Sequence, residues 1–132
     1  MAASATPIIS PIMFIQQAQA GIDYAQLAAF LQNSDIHKAE LAEILNLDPK
    51  TLDNYRKQNK SLDNLRSELF LKLEEVFEVG KEVLGSKETF RSWLHLPAGE
   101  FYGKTPWQLL STVTGVGEVR NQLLRIAYGY AV

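Results

Sequence analysis

Phe90-Arg-Ser-Trp93-Leu-His-Leu-Pro97, then Phe101-Tyr-Gly-Lys-Thr105-Pro106-Trp107-Gln-Leu109-Leu110, then Gly115-Val-Gly-Glu118-Val-Arg120-Asn-Gln-Leu-Leu-Arg125-Ile-Ala-Tyr128-Gly129-Tyr130, is the stretch whose reading decides the fold. Its large apolar residues recur at spacings of three and four, the period of a helix face. Ser86 is expected to cap a short helix running through Leu94. Residues 97–103 read as a loop with Phe101 and Tyr102 tucked inward. Thr105 followed by Pro106 opens another helix, a cap followed by a proline that needs no N–H in the first turn. Thr114-Gly115-Val-Gly117 is expected to turn the chain into a last helix. That helix would place Val119, Leu123, Ile126 and Ala127 on one face and end at Gly129. Trp93 and Trp107 belong mainly to the core, because large apolar side chains go inside by default.

Working outward, Leu62, Leu65, Leu69, Leu73, Val76, Phe77, Gly80, Val83 and Leu84 keep helical spacing up to Gly85, with Ser61 or Asp63 as the cap. This is the longest expected helix. Its opposite face carries Glu68, Lys72, Glu74, Glu75, Glu78, Lys81 and Glu82 and reads as a solvated surface. Residues 39–57 have the pattern of a helix-turn-helix. Ala42 can sit where two helices cross, Asn46 can accept the positive φ of the turn, and Leu52 with Tyr55 can anchor the second helix. Asp48-Pro49 caps that second helix. An earlier helix opens at Asp23 and buries Tyr24, Leu27, Ala28 and Leu31. Strand signals are weak throughout, so the fold class is all-α.

The chain has 132 residues, 46% apolar and 21% charged, enough for one compact helical body or two small ones. It has no cysteine, which removes disulfides and thiolate chemistry and fits a cytoplasmic setting. Residues 1–22 carry no charged side chain, so the basic start of a secretory signal is missing. Pro7 and Pro11 interrupt the apolar run, which is also too short to span a membrane. Two readings of this segment stand side by side. It is a tail that docks on the core or on a second copy of the chain, or it is a disordered tail.

Catalysis has little to rest on. His37 and His95 lie on different expected helices with no carboxylate or histidine at ligand spacing, so no metal and no catalytic residue is expected. Gly115-Val-Gly117 lacks the third glycine, the strand and the lysine of phosphate loops. Adjacent Glu74 and Glu75 do not converge on one point. The chain is expected not to be an enzyme and to need no cofactor.

The net charge is −2, so nucleic acid could bind only through a local patch. Between Lys50 and Arg66 five cations oppose two carboxylates. The second helix of the pair would present Lys50, Thr51, Asn54 and Lys57, types suited to phosphates and base edges. Asp53 on the same helix would repel phosphates, and one such patch binds weakly. A dimer spanning two half-sites is therefore required for operator DNA, the alternative being that the fold is kept while DNA affinity is lost.

The order of features in residues 90–130 resembles the C-terminal toxin-binding domain of Xre/MbcA/ParS-type antitoxins. The helix-turn-helix pattern upstream resembles the Xre-like part of the same family. That resemblance implies a helix-turn-helix bundle joined by a long helix to a small helical toxin-binding module. It divides the chain into an N-terminal extension over residues 1–22, an Xre-like domain with its connecting helix over 23–84, and a toxin-binding domain over 85–132. It implies a homodimeric type II antitoxin that covers the active site of a RES-domain, NAD-consuming toxin of ADP-ribosyltransferase-like chemistry and represses its own operon. Arg120, Arg125, Tyr128 and Tyr130 are the expected toxin contacts, arginine and tyrosine being favoured at interface hot spots. A stand-alone helix-turn-helix regulator without a toxin is the alternative. The chain departs from the family where Phe101-Tyr102-Gly103 replaces the usual glycine pair before Thr-Pro, and the N-terminal extension has no counterpart.

Overall fold

The computed structural model describes residues 10–129, which are helical and turn structure with no strand among them. They form two compact units, residues 10–71 and 72–129.

In the first unit, α1 (Pro11–Ala20) begins where Ser10 Oγ accepts the Met13 N–H and Pro11 fills the first helical position. It buries Phe14 and Ala18 and ends at Gly21, whose φ of +86° suits glycine. From Ser10 onward the N-terminal segment is thus not a disordered tail but a helix that packs Phe14 and Ala18 into the core. The sequence reading took Pro11 as an interruption, when it marks a helix start. Residues 1–9 lie outside the described part.

α2 (Tyr24–Ser34) opens with a capping box in which Asp23 accepts the Gln26 N–H and Gln26 Oε1 accepts the Asp23 N–H. Its Leu27 and Phe30 are buried, and Phe30 meets Phe70 edge-on at 5.4 Å. Between α1 and α2, Ile22 is tied at both backbone groups. Its N–H donates to Ser67 Oγ at 3.0 Å, and its carbonyl accepts the Leu62 N–H at 2.9 Å. The fully buried Ser67 hydroxyl in turn donates to the Leu62 carbonyl.

α3 (Lys38–Ile44) and α4 (Pro49–Gln58) have helix-turn-helix connectivity. Ala42 is completely buried, and Asn46 takes φ +57° in the turn, as its residue type allows. Leu52 is buried, Tyr55 is half-buried, and Asp48 caps α4 through the Lys50 N–H.

α5 (Asn64–Leu84) is the longest helix described. Asp63 starts it by accepting the Arg66 N–H at 2.9 Å, and Gly85 ends it at φ +97°. Leu65, expected on the buried stripe, is 80% exposed, while Leu62 before the helix and Leu69 and Phe70 one turn on are buried. The acidic face is not fully solvated. Lys72, Glu74, Glu75, Glu78 and Lys81 are half-buried, and only Glu82 among the named charges is fully open.

The second unit holds the C-terminal part of α5, then α6 (Lys87–Leu94), a 3-10 turn (Gly99–Phe101), a short 3-10 helix (Pro106–Leu109) and α7 (Val113–Tyr128). Ser86 caps α6 through the Thr89 N–H, and Thr105 caps the second 3-10 helix in a capping box with Gln108. Phe90 enters the core against Phe77, edge-on at 4.9 Å, directly over Gly80, where a β-carbon would collide with the Phe90 ring. Thr112, not Thr114, caps α7, so Gly115 and Gly117 lie inside the helix and not in a turn. Gly115 is needed for close approach: a β-carbon there would run into the Leu109 carbonyl oxygen. The buried stripe of α7 is Gly115, Val116, Val119, Gln122 and Leu123. Ile126 and Ala127 are exposed, contrary to expectation, because the stripe ends one turn before the helix does.

Candidate functional site

On α4, Lys50, Asn54 and Lys57 are exposed and Thr51 is half-buried, so the four residues selected from the sequence share a helix that faces water at three of them. Arg56 and Lys60 are exposed beside them. Asp53, the apparent obstacle to an anion on this helix, is held by Lys38 Nζ at 2.5 Å. The hydrogen bond from Lys38 is the main cause that holds the Asp53 carboxyl below its ordinary range. The same pairing raises Lys38 above the usual lysine value.

Arg66 does not belong to this open patch. Its Nε donates to the Leu45 carbonyl at 2.8 Å, its second guanidinium nitrogen reaches the Asn46 carbonyl at 3.2 Å, and its third pairs with Asp63 at 2.6 Å. It is a clamp on the α3–α4 turn, satisfying carbonyls at the end of α3. The Asp63 carboxyl lies below its usual range, chiefly because it accepts the Arg66 backbone N–H. Sequence spacing offered no sign of this role, since residue 66 meets residues 45 and 46 only through the fold.

In the second unit, the residues expected to meet a toxin lie along α7. Arg120 is half-buried and forms an ion pair with Glu75 at 3.5 Å, with its Nε sheltered and not hydrogen-bonded. Arg125 is half-buried and donates to Gln122 Oε1 at 3.2 Å. Tyr128 is 68% exposed. Tyr130 lies outside the described residues. Glu74, one residue from Glu75, has its pKa pushed up to about 7, mainly by burial and secondarily by the neighbouring Glu78.

The aromatic residues of this unit divide between core and surface. Phe90 and Phe101 are buried, and Trp93 is half-buried and stacked on Phe90 with centroids 6.0 Å apart. Trp107 is half-buried too, stacked on His95 at 4.7 Å with the Arg91 guanidinium 5.7 Å from its ring centre. Tyr102, expected to tuck inward, is 97% exposed. It takes the left-handed conformation at φ +56°, which turns the side chain away from Phe101's buried side. Leu96 is also exposed, at 59%.

Among the described residues no group of three or more histidine, aspartate or glutamate side chains could hold a metal ion. Nor is any helix among them long and apolar enough to cross a membrane. These features define an all-helical protein that displays side chains on helix and turn surfaces. Residues 73–129 match the family model described as the antitoxin Xre/MbcA/ParS C-terminal toxin-binding domain. A protein named Antitoxin Xre, from Pseudomonas putida, is 29% identical over 83 residues, covering 63% of this chain and 52% of that relative. The chain spans about half the length of the curated relative it matches. The C-terminal segment is thus similar to the toxin-binding domain of the Xre/MbcA/ParS-type antitoxins, and the chain more widely to an antitoxin of that type.

Proposed function

We propose that this protein is the antitoxin of a type II toxin–antitoxin pair and inhibits a RES-domain toxin that consumes NAD by ADP-ribosyltransferase-like chemistry. The observation that carries the reading is a coincidence at one boundary: the toxin-binding match begins at residue 73, and the second compact unit takes up α5 at residue 72. The matched segment is a packed body in its own right and a natural unit of recognition. The toxin-binding part so defined takes in the second half of α5, earlier than the 84/85 division expected from the sequence.

Inhibition is by covering the toxin's active site. Arg120, Arg125 and Tyr128 lie on one helix, with Tyr130 just beyond it, and two guanidinium groups and two phenols are suited to a pocket that receives a negatively charged dinucleotide. Arg120 is paired with Glu75 at 3.5 Å. Support for DNA binding, which a homodimer would have to provide, is α4, where Lys50, Asn54 and Lys57 are exposed, Thr51 is half-buried and Asp53 is paired with Lys38. The complex would then repress its own operon.

The test is co-expression of the full chain with the RES-domain toxin of the same cell, followed by an NAD assay. Stable co-purification and loss of NAD consumption support the proposal. Unaltered inhibition by an Arg120/Arg125/Tyr130 triple alanine variant removes the site assignment, and the absence of any complex removes the function.

A further inference from the structure

Tyr102 sits at the tip of a closed loop and buries almost nothing within the molecule, being 97% exposed. Its backbone lies at φ +56°, ψ +39°, a region where a β-carbon is strained and glycine is not. A strained residue whose side chain packs against nothing is not explained by the stability of the fold.

The loop beneath it is rigidly made. The Ala98 N–H donates to the Lys104 carbonyl at 3.1 Å, and the Gly103 N–H donates to the Ala98 carbonyl at 3.0 Å, closing the loop at its neck. Inside, the Phe101 N–H reaches the Ala98 carbonyl and the Tyr102 N–H reaches the Gly99 carbonyl. Phe101 plugs the core, and the Glu100 carboxylate accepts the Gln122 amide at 2.9 Å, so a buried residue of α7 holds the loop down. The phenol is therefore presented on a fixed platform. Its neighbours along the chain are exposed Leu96 at the start of the loop, Glu100 engaged by Gln122, and exposed Lys104 at its end; His95 and Arg91 before the loop meet Trp107 after it.

We propose that Tyr102 is a preformed anchor that inserts into an apolar, acid-rimmed pocket of the toxin partner, at a contact separate from the last helix. This rests on the antitoxin reading. The toxin is the occupant because the loop lies wholly inside the segment that matches a toxin-binding domain, and with Glu100 engaged by Gln122 its exposed cation is Lys104. A tyrosine held in place loses little freedom on binding, which is how a single ring contributes more than its area.

The experiment measures binding of the full chain to a catalytically inactive RES-domain toxin by calorimetry, together with the thermal midpoint of each antitoxin variant. Tyr102→Gly removes the ring and relieves the strain. It is expected to bind on the order of 30-fold more weakly, the loss of one aromatic hot spot, while its midpoint holds or rises. Lys104→Glu is expected to weaken binding as well, and Tyr102→Phe to retain most of it. Wild-type affinity in Tyr102→Gly overturns the anchor and leaves the antitoxin reading intact. A midpoint lowered by more than about 5 °C assigns Tyr102 to the fold and also overturns it. Failure of the wild-type chain to bind the toxin at all overturns both.

Discussion

Lys38 on α3 and Asp53 on α4 form an ion pair at 2.5 Å, so the only carboxylate on the outer part of α4 is matched by a cation from the helix before it. Replacing Lys38 with methionine is therefore expected to weaken binding to a DNA duplex taken from upstream of the protein's own gene, and Asp53→Asn to strengthen it. Fluorescence anisotropy across a salt series checks both; equal affinities in the two variants would detach this pair from any DNA role. The pair also has a pH signature. The folded-state pKa of Asp53 is depressed, so its contribution is present above the unfolded carboxylate pKa and lost as pH falls through the folded one, in the acid range.

Glu74 predicts a trend of the opposite sign. Its folded pKa of about 7 lies above the ordinary 4.5, so between those values the folded protein holds a proton that the unfolded chain has released. Stability should fall as pH rises through that window and level off above it. Glu74→Gln should stabilise the protein at pH 8 by roughly 1 to 2 kcal/mol, after allowing for partial exposure, and by much less at pH 5. Thermal midpoints of the two proteins at the two pH values decide it; parallel curves would refute the burial argument.

Gly80→Ala should be destabilising by about 1–3 kcal/mol, because the added methyl meets a ring that packs edge-on with Phe77 and cannot withdraw without disturbing the core. Gly115→Ala should be worse, since its obstacle is the Leu109 backbone carbonyl and not a movable side chain. Circular dichroism melts of the two variants should rank them in that order.

Arg66→Ala removes hydrogen bonds to two carbonyls of the α3–α4 turn, at an expected cost of about 1–2 kcal/mol. Amide hydrogen exchange should accelerate first around residues 45–48. Unchanged protection there would mean that the turn holds itself.

Most helix starts were legible because a cap and its partner are two or three residues apart. Asp23, Asp48, Ser86 and Thr105 were each readable from their own neighbourhood, and each caps a helix or 3-10 turn. Asn46 was readable for the same reason, its left-handed turn being a local property of its side chain. Ser10-Pro11 carried the same signal as Asp48-Pro49 but was discounted as an interruption. What local sequence cannot carry is which apolar side chains find a partner. Leu65, Tyr102 and Ile126 have the composition of core residues and lie on the surface, because packing is decided by distant segments. The candidate contacts on α4 and α7 were chosen by residue type. The ties that orient them, Lys38 to Asp53 and Glu75 to Arg120, join different helices and left no mark on either helix alone.

The bond from Ile22 to Ser67 joins positions 45 residues apart. Together with the Leu62 N–H on the Ile22 carbonyl, it makes the joint between α1 and α2 depend on the start of α5. A chain cut short before residue 62 would lack both partners and leave both backbone groups of Ile22 to water.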